Sequence, residues 1–143
     1  FDLLVPLHGR RQAGFEKLEN HPAIAWHSGL SDEQLRELYQ RSQLLLLPMN
    51  ESGANTAVVE ALACGLPIVT TDVGGIRDYG GGTIFPIVPN DDDDAMIALV
   101  ERYLANPVWR NEVGRAGRHF AESTLAWPLI AARHLEAYLE LAQ

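Results

Sequence analysis

Cysteine occurs once in this chain, at Cys64, so no disulfide framework can form within it, and a lone thiol suits a reducing compartment. Long apolar runs are missing too: none approaches the ~20 residues that cross a bilayer, and no signal-peptide pattern opens the chain. Positive charge is scarce, with 11 Lys and Arg against 19 Asp and Glu for a net charge of −8. That balance argues against nucleic acid as the main partner. The five histidines, His8, His21, His27, His119 and His134, show no metal-ligand spacing. The acidic run Asp91–Asp94 reads as a solvated helix start, not a metal site. Internal repeats and low-complexity tracts are absent. These absences leave a cytoplasmic globular protein whose residues require neither metal nor cofactor.

What is present is an ordinary folding composition, 47% apolar and 21% charged over 143 residues. A chain of that length buries roughly two-thirds of its unfolded surface as one domain. It begins at Phe1 and enters an apolar stretch almost at once, as expected of a piece of a longer protein.

The organising stretch is LLLLPMNESGANTAVVEALACGLPIVTTDVGG, from Leu44 to Gly75. Leu44–Leu47 is a short apolar run of the kind expected in a strand covered on both faces. A loop follows from Pro48 to Ala54, with Ser52 or Asn55 available to cap the next helix. From Ala57 to Cys64 every residue but Glu60 is apolar, which predicts a buried helix. A carboxylate there is costly unless something binds it. Gly65 and Pro67 stop the helix, and Pro67–Thr71 reads as the next strand.

Around this centre, Asp2–Leu7 and Ala23–His27 read as strands, with a helix over Arg11–Asn20 between them. Ser31-Asp32-Glu33-Gln34 fits a capped helix start, and Leu35, Leu38 and Tyr39 mark one face of that helix. Ile76–Gly82 holds a short turn or helix, and Thr83–Val88 a last, proline-broken strand. Helices are expected over Asp91–Ala105, from Pro107 to about Ser123, and from Pro128 onward. Strands alternating with helices, then a helical tail, predict an α/β doubly wound parallel sheet with helices on both faces.

In such sheets ligands bind beyond the carboxyl ends of the strands. The loop Asn50-Glu51-Ser52-Gly53-Ala54-Asn55-Thr56 lies at such an end. Gly53 admits a close backbone approach, and free N–H groups at a helix start receive anions such as phosphate. Glu60, one to two turns on, suits paired hydroxyls. Gly74-Gly75 after the next strand can bring further N–H groups to the same cleft. Phosphate and hydroxyl acceptors together are what a nucleotide or sugar phosphate needs. Each residue also has a plainer reading. Glu60 can pair with an arginine such as Arg36 or Arg77, Glu51 can be solvated, Asp72 and Asp78 can cap, and Cys64 can be a small core residue.

The segment NESGANTAVVEALACGLPIVTTDVGGIRDY resembles the donor-binding segment of GT-B-fold retaining glycosyltransferases, the group 1 or family-four type. The flanks LVPLHG, HSGL and SDEQLRELYQRSQLLLLP extend the resemblance over roughly residues 1–125. It implies that the parent enzyme transfers a sugar from a nucleotide diphosphate sugar to an acceptor, the alternatives being a nucleotide-sugar epimerase or phosphorylase of the same fold or a non-catalytic nucleotide-binding or regulatory module. By the resemblance Glu51 contacts the donor sugar as the catalytic-site carboxylate, and Glu60 holds the ribose hydroxyls. Asn50, Ser52 and the helix start Gly53, Ala54, Asn55 and Thr56 line the diphosphate and sugar. Eight residues separate Glu51 from Glu60, one more than the family's spacing, so Asn50 or Ser52 can take the place of Glu51. The family's first strand in this domain, its arginine–lysine pair and its N-terminal acceptor-binding domain have no counterpart in the sequence. The chain is thus expected to be a donor-binding fragment, inactive alone, with strand edges through which a homodimer can form. Peripheral membrane contact would come only through the missing domain.

Overall fold

The computed structural model describes residues 2–4 and 21–142, and it falls into two compact units, Phe1–Glu37 and Leu38–Gln143. In the first, strand β1 (Asp2–Leu4) pairs in parallel with β2 (Ala25–His27), Asp2 facing Ala25 and Leu4 facing His27. The His27 Nε2 lies 2.6 Å from Asp2 Oδ1 across this pair. The helix expected over Arg11–Asn20, and the end of the first strand at Pro6 and Leu7, lie outside the described residues.

Helix α1 (Asp32–Arg41) starts as its sequence predicts. The Ser31 hydroxyl accepts from the Gln34 N–H, and the Gln34 side chain accepts from the Ser31 N–H at 2.9 Å, a reciprocal cap. Its last turn buries Leu38 and Tyr39 within the second unit.

The second unit is built on β3 (Leu45–Leu47) and β4 (Ile68–Thr70), parallel and in register from Leu45 against Ile68 to Leu47 against Thr70. A parallel pair needs a crossover, supplied here by α2 (Thr56–Ala63). Asn55, not Ser52, caps α2 by accepting from the Val58 N–H. At its far end Gly65 takes φ +71, its N–H donating to the Leu62 carbonyl and that of Leu66 to the Ala61 carbonyl. These two bonds make the αL stop that a glycine permits. All three residues of β4 are buried, whereas Leu46 of β3 is 39% exposed. The expectation that Leu44–Leu47 is covered on both faces is therefore corrected: Leu45 and Leu47 are half-buried and Leu46 on the other face is exposed.

Thr83–Val88 is not a strand. It contributes single bridges, Val88 to Thr71 and Phe85 to Gly81. Pro86 has no N–H to give a ladder, and Gly80 and Gly82, at φ +93 and +80, fold the preceding chain into turns. Gly74–Tyr79 forms a short 3₁₀ helix.

The core of this unit joins Val69 and Val88 to Met96, Leu99 and Tyr103 of α3 (Asp93–Ala105). Asp92 caps α3, with Asp93 and Asp94 in its first turn, where the helix dipole favours acid. Helix α4 (Pro107–Phe120) has Pro107 in its first turn and Asn106 as cap. Trp109 of α4 stacks on Tyr103 with ring centroids 4.5 Å apart, and Arg102 lies 4.1 Å over the Trp109 ring. Buried Gly114 faces the end of α2, where a Cβ would come within 3.3 Å of the Gly65 carbonyl carbon and closer to its oxygen. This close approach sets α2 against α4. Beyond α4 a π turn, Ala121–Leu125, leads into α5 (Trp127–Leu141). No residue of α5 is buried, and its Leu135, Tyr138 and Leu139 are more than half exposed. No helix among the described residues is long and apolar enough to cross a membrane.

Candidate functional site

The site begins where β3 and β4 end together. Two threonines close the apolar β4 end and tie it to its neighbour. The Thr70 hydroxyl donates to the Leu47 carbonyl at 2.8 Å, and the Thr71 hydroxyl donates to the Met49 carbonyl at 2.5 Å. The Met49 N–H returns a bond to Thr71 Oγ1 at 3.1 Å. The loop thus leaves the sheet from a fixed point. It is fixed again at Asn55, which caps α2 and places its Nδ2 3.2 Å from the Met49 sulfur. Between those anchors Asn50, Glu51, Gly53 and Ala54 are exposed and Ser52 is half-buried, and Thr56 just beyond Asn55 is exposed.

The second glycine turn closes on this loop. Gly74 has φ +54, and a Cβ there would come within 2.8 Å of the Ser52 carbonyl carbon and closer still to its oxygen. A Cβ on Gly75 would lie 3.7 Å from the Gly53 carbonyl oxygen, while nothing among the described residues comes within 4 Å of the Cβ position of Gly53. The two turns, far apart in sequence, therefore meet backbone to backbone beside open space. This is the juxtaposition that a ligand at two adjacent strand ends requires.

Glu60 is half-buried on α2, less enclosed than the apolar pattern of that helix predicts. The reason is that α2 buries Val58, Ala61 and Leu62 and leaves its other side less covered. Its carboxylate accepts a hydrogen bond at Oε2 from the Tyr39 hydroxyl, 3.0 Å away. Tyr39 is 5% exposed, and burial first, then the Glu60 carboxylate, push its phenol well above the ordinary range. It stays a neutral donor. The pairing with Arg77 weighed from the sequence does not form: Arg77 donates from Nε to Asp72 Oδ1 at 3.0 Å and from Nη2 to Asp72 Oδ2.

Asp72 is accordingly an arginine partner and not a cap, and Asp78 is exposed within the 3₁₀ helix, which has no side-chain cap. Cys64, expected in the core, is half-buried at the C-cap of α2. His27 is engaged with Asp2 in the first unit. Tyr39, Thr70 and Thr71 are the site residues that sequence reading missed as such. The legible signal was a tyrosine on a buried helical face and two hydroxyls closing an apolar strand. Among the described residues no three His, Cys, Asp or Glu side chains gather as metal ligands would.

Comparison with known proteins places this geometry in a family. The model for "Glycosyl transferases group 1" matches residues 10–120. The MMP alpha-(1->4)-mannosyltransferase of Mycolicibacterium hassiacum is 32% identical over 113 residues, 78% of this chain and 28% of that protein. An alpha-maltose-1-phosphate synthase of Mycobacterium tuberculosis is 29% identical over 136 residues, 90% of this chain and 35% of that protein. The chain thus spans about a third of the length of these relatives. Among solved structures, sucrose-phosphate synthase from Thermosynechococcus elongatus superposes with a TM-score of 0.78 at 23% identity, over 89% of this chain and 32% of that one. WaaG, a glycosyltransferase involved in lipopolysaccharide biosynthesis, gives 0.63 at 25% identity, over 76% of this chain and 30% of its own. With parallel strands, a crossover helix and a helical C-terminus in common with GT-B glycosyltransferases, the chain belongs to the glycosyl transferases group 1 family.

Proposed function

We propose that the chain is the donor-binding part of a two-domain glycosyltransferase, which moves a sugar from a nucleotide diphosphate sugar to an acceptor with retention of configuration. The observation that carries this reading is the seating of Gly74 on the Ser52 carbonyl beside the open face of Gly53. It brings two glycine turns and the start of α2 to one place, with Glu60 a turn further along. N–H groups at Gly53, Ala54 and Thr56 and the helix dipole suit the diphosphate. Glu60, carrying charge and partnered by a neutral hydroxyl, suits the ribose diol, which donates to a carboxylate. Glu51, exposed in the loop, is placed in sequence to meet the donor sugar, with Asn50 and Ser52 as its neighbours.

In the transfer itself the bond from the anomeric carbon to the diphosphate oxygen breaks, and a bond to the acceptor oxygen forms on the same face. Negative charge develops on the leaving diphosphate, so its stabilisation by fixed donors is the main catalytic task. An acceptor-binding domain and a cationic clamp would come from elsewhere in the parent enzyme, and a cytoplasmic location goes with a soluble nucleotide sugar. The chain, with net charge −8, is expected to bind uridine, guanosine or adenosine diphosphate weakly, at roughly 0.1 to several millimolar, and to show no turnover. Chemical-shift titration with the three diphosphates tests the reading. Silence towards all of them at millimolar concentration would overturn it.

A further inference from the structure

We propose that Tyr39 is a positioning residue for Glu60: it holds one carboxylate oxygen so that the rest of the carboxylate is presented to the hydroxyls of a ribose. This role rests on the reading of Glu60 as the ribose acceptor.

A glutamate side chain turns about three bonds, and a half-buried one is not held by packing alone. The backbone of Glu60 is fixed, because α2 is capped by Asn55 at one end and closed by Gly65 at the other. The side chain still needs a partner. Tyr39 meets that need as a rigid post: its ring turns about few bonds, it is 5% exposed, and its O–H reaches Oε2 at 3.0 Å. The choice of partner matters as much as its reach. An arginine there would offer several N–H donors and a full positive charge, occupying both oxygens and cancelling the attraction for further donors. A phenol brings one donor and no charge. A carboxylate has about four lone-pair sites, and Tyr39 uses one of them. Oε1 and the remaining site on Oε2 can then accept from two neighbouring hydroxyls. Arg77, the arginine that could have paired with Glu60, is held by Asp72. Aimed, charged and uncancelled is the state a diol acceptor requires.

The plainer alternative is that the bond merely braces α1 against α2. The two differ in what they do to discrimination between ribose and deoxyribose. The test is a chemical-shift titration of the 143-residue chain with uridine, guanosine and adenosine diphosphates and their 2′-deoxy forms. Wild type should bind the ribose form about tenfold tighter or more than its deoxy counterpart, the usual effect of one hydrogen bond to a charged group. Tyr39→Phe should reduce that ratio several-fold while leaving affinity for the deoxy form close to wild type. Glu60→Gln should abolish most of the ratio, and Tyr39→Phe added to it should change nothing further. Should phenylalanine fail to fold, Tyr39→Met permits the same comparison. A Tyr39 variant that melts earlier yet keeps the wild-type ratio would show a brace only and overturn the proposal. A wild type that treats the ribose and deoxy forms alike would overturn the reading of Glu60, and the role of Tyr39 with it.

Discussion

Gly74 rests directly on the main chain of Ser52, with no room for a Cβ between them: a methyl there would come within 2.8 Å of the carbonyl carbon and closer to the oxygen. Alanine at this position must also take φ +54, a conformation that costs an L-residue about 1–2 kcal/mol. Gly74→Ala is therefore expected to lower stability by roughly 2–4 kcal/mol, strain and overpacking together, and to weaken nucleotide binding by displacing the loop. Gly53→Ala is the control: nothing among the described residues lies within 4 Å of its Cβ position, so stability should stay within about 0.5 kcal/mol. Thermal melts of the two variants check the contrast, and equal losses would count against it.

Glu60→Gln keeps the shape and an oxygen that Tyr39 can still donate to. Since the partner is a neutral hydroxyl and not a buried arginine, stability should change by less than about 1 kcal/mol. Binding of the nucleoside diphosphate should weaken by about 1.5–3 kcal/mol. A large fall in melting temperature with unchanged affinity would assign Glu60 to the fold alone.

Tyr103 is fully buried, and its hydroxyl finds no hydrogen-bond partner among the described residues. Its ring, stacked on Trp109, does the packing. Tyr103→Phe keeps that stacking and removes a desolvated polar atom, so it should stabilise the chain by about 1 kcal/mol. Denaturant unfolding would measure it, and a loss of 1 kcal/mol or more would mean that the hydroxyl is satisfied in solution.

Burial raises the phenol pKa of both Tyr39 and Tyr103 above the ordinary value of 10.0. The unfolded chain ionises its tyrosines near pH 10 while the folded chain keeps these two neutral. Their contribution is therefore complete below pH 10 and is lost as the pH rises beyond it, by up to about 1.4 kcal/mol per pH unit for each tyrosine. Unfolding measured between pH 8 and 11 should be flat at first and then fall. Tyr103→Phe should make that fall shallower.

Gly114→Ala tests what seats α2. Alanine would gain about 1 kcal/mol in helix propensity, yet its Cβ would press on the Gly65 carbonyl, which is backbone and cannot turn aside. A net loss of about 1–3 kcal/mol is expected, read by denaturant unfolding, and a stabilised variant would contradict it.

The parts of this fold that were legible in the sequence are those written in neighbouring residues. Ser31 with Gln34, Asp92 before α3, Asn106 and Pro107 before α4, and Gly65 after α2 each declare a helix boundary within a turn. The two glycine turns were legible as turns for the same reason. What was not legible depends on residues brought together from a distance. Tyr39 and Glu60 are 21 positions apart, and Met49 and Thr71 are 22 apart. Nothing near either member announces the other. By sequence Arg77 is as available to Glu60 as to Asp72, and only the fold gives it to Asp72. Thr83–Val88 carries the residues of a strand, but two isolated parallel bridges are all that Pro86 and the glycines before it allow.

The contact between the two glycine turns is made by main-chain atoms, and this bears on how such a site can change over generations. The frame depends on Gly74 having no side chain and on the Ser52 carbonyl, which every amino acid possesses. Asn50, Glu51, Ala54 and Thr56 hang outward from that frame, exposed, and exposed substitutions ordinarily shift stability by no more than about 0.5 kcal/mol. Those four positions can be rewritten without moving the cradle beneath them. A lineage is then free to change what these four side chains offer at the loop surface at little risk to the fold, so long as the glycine stays.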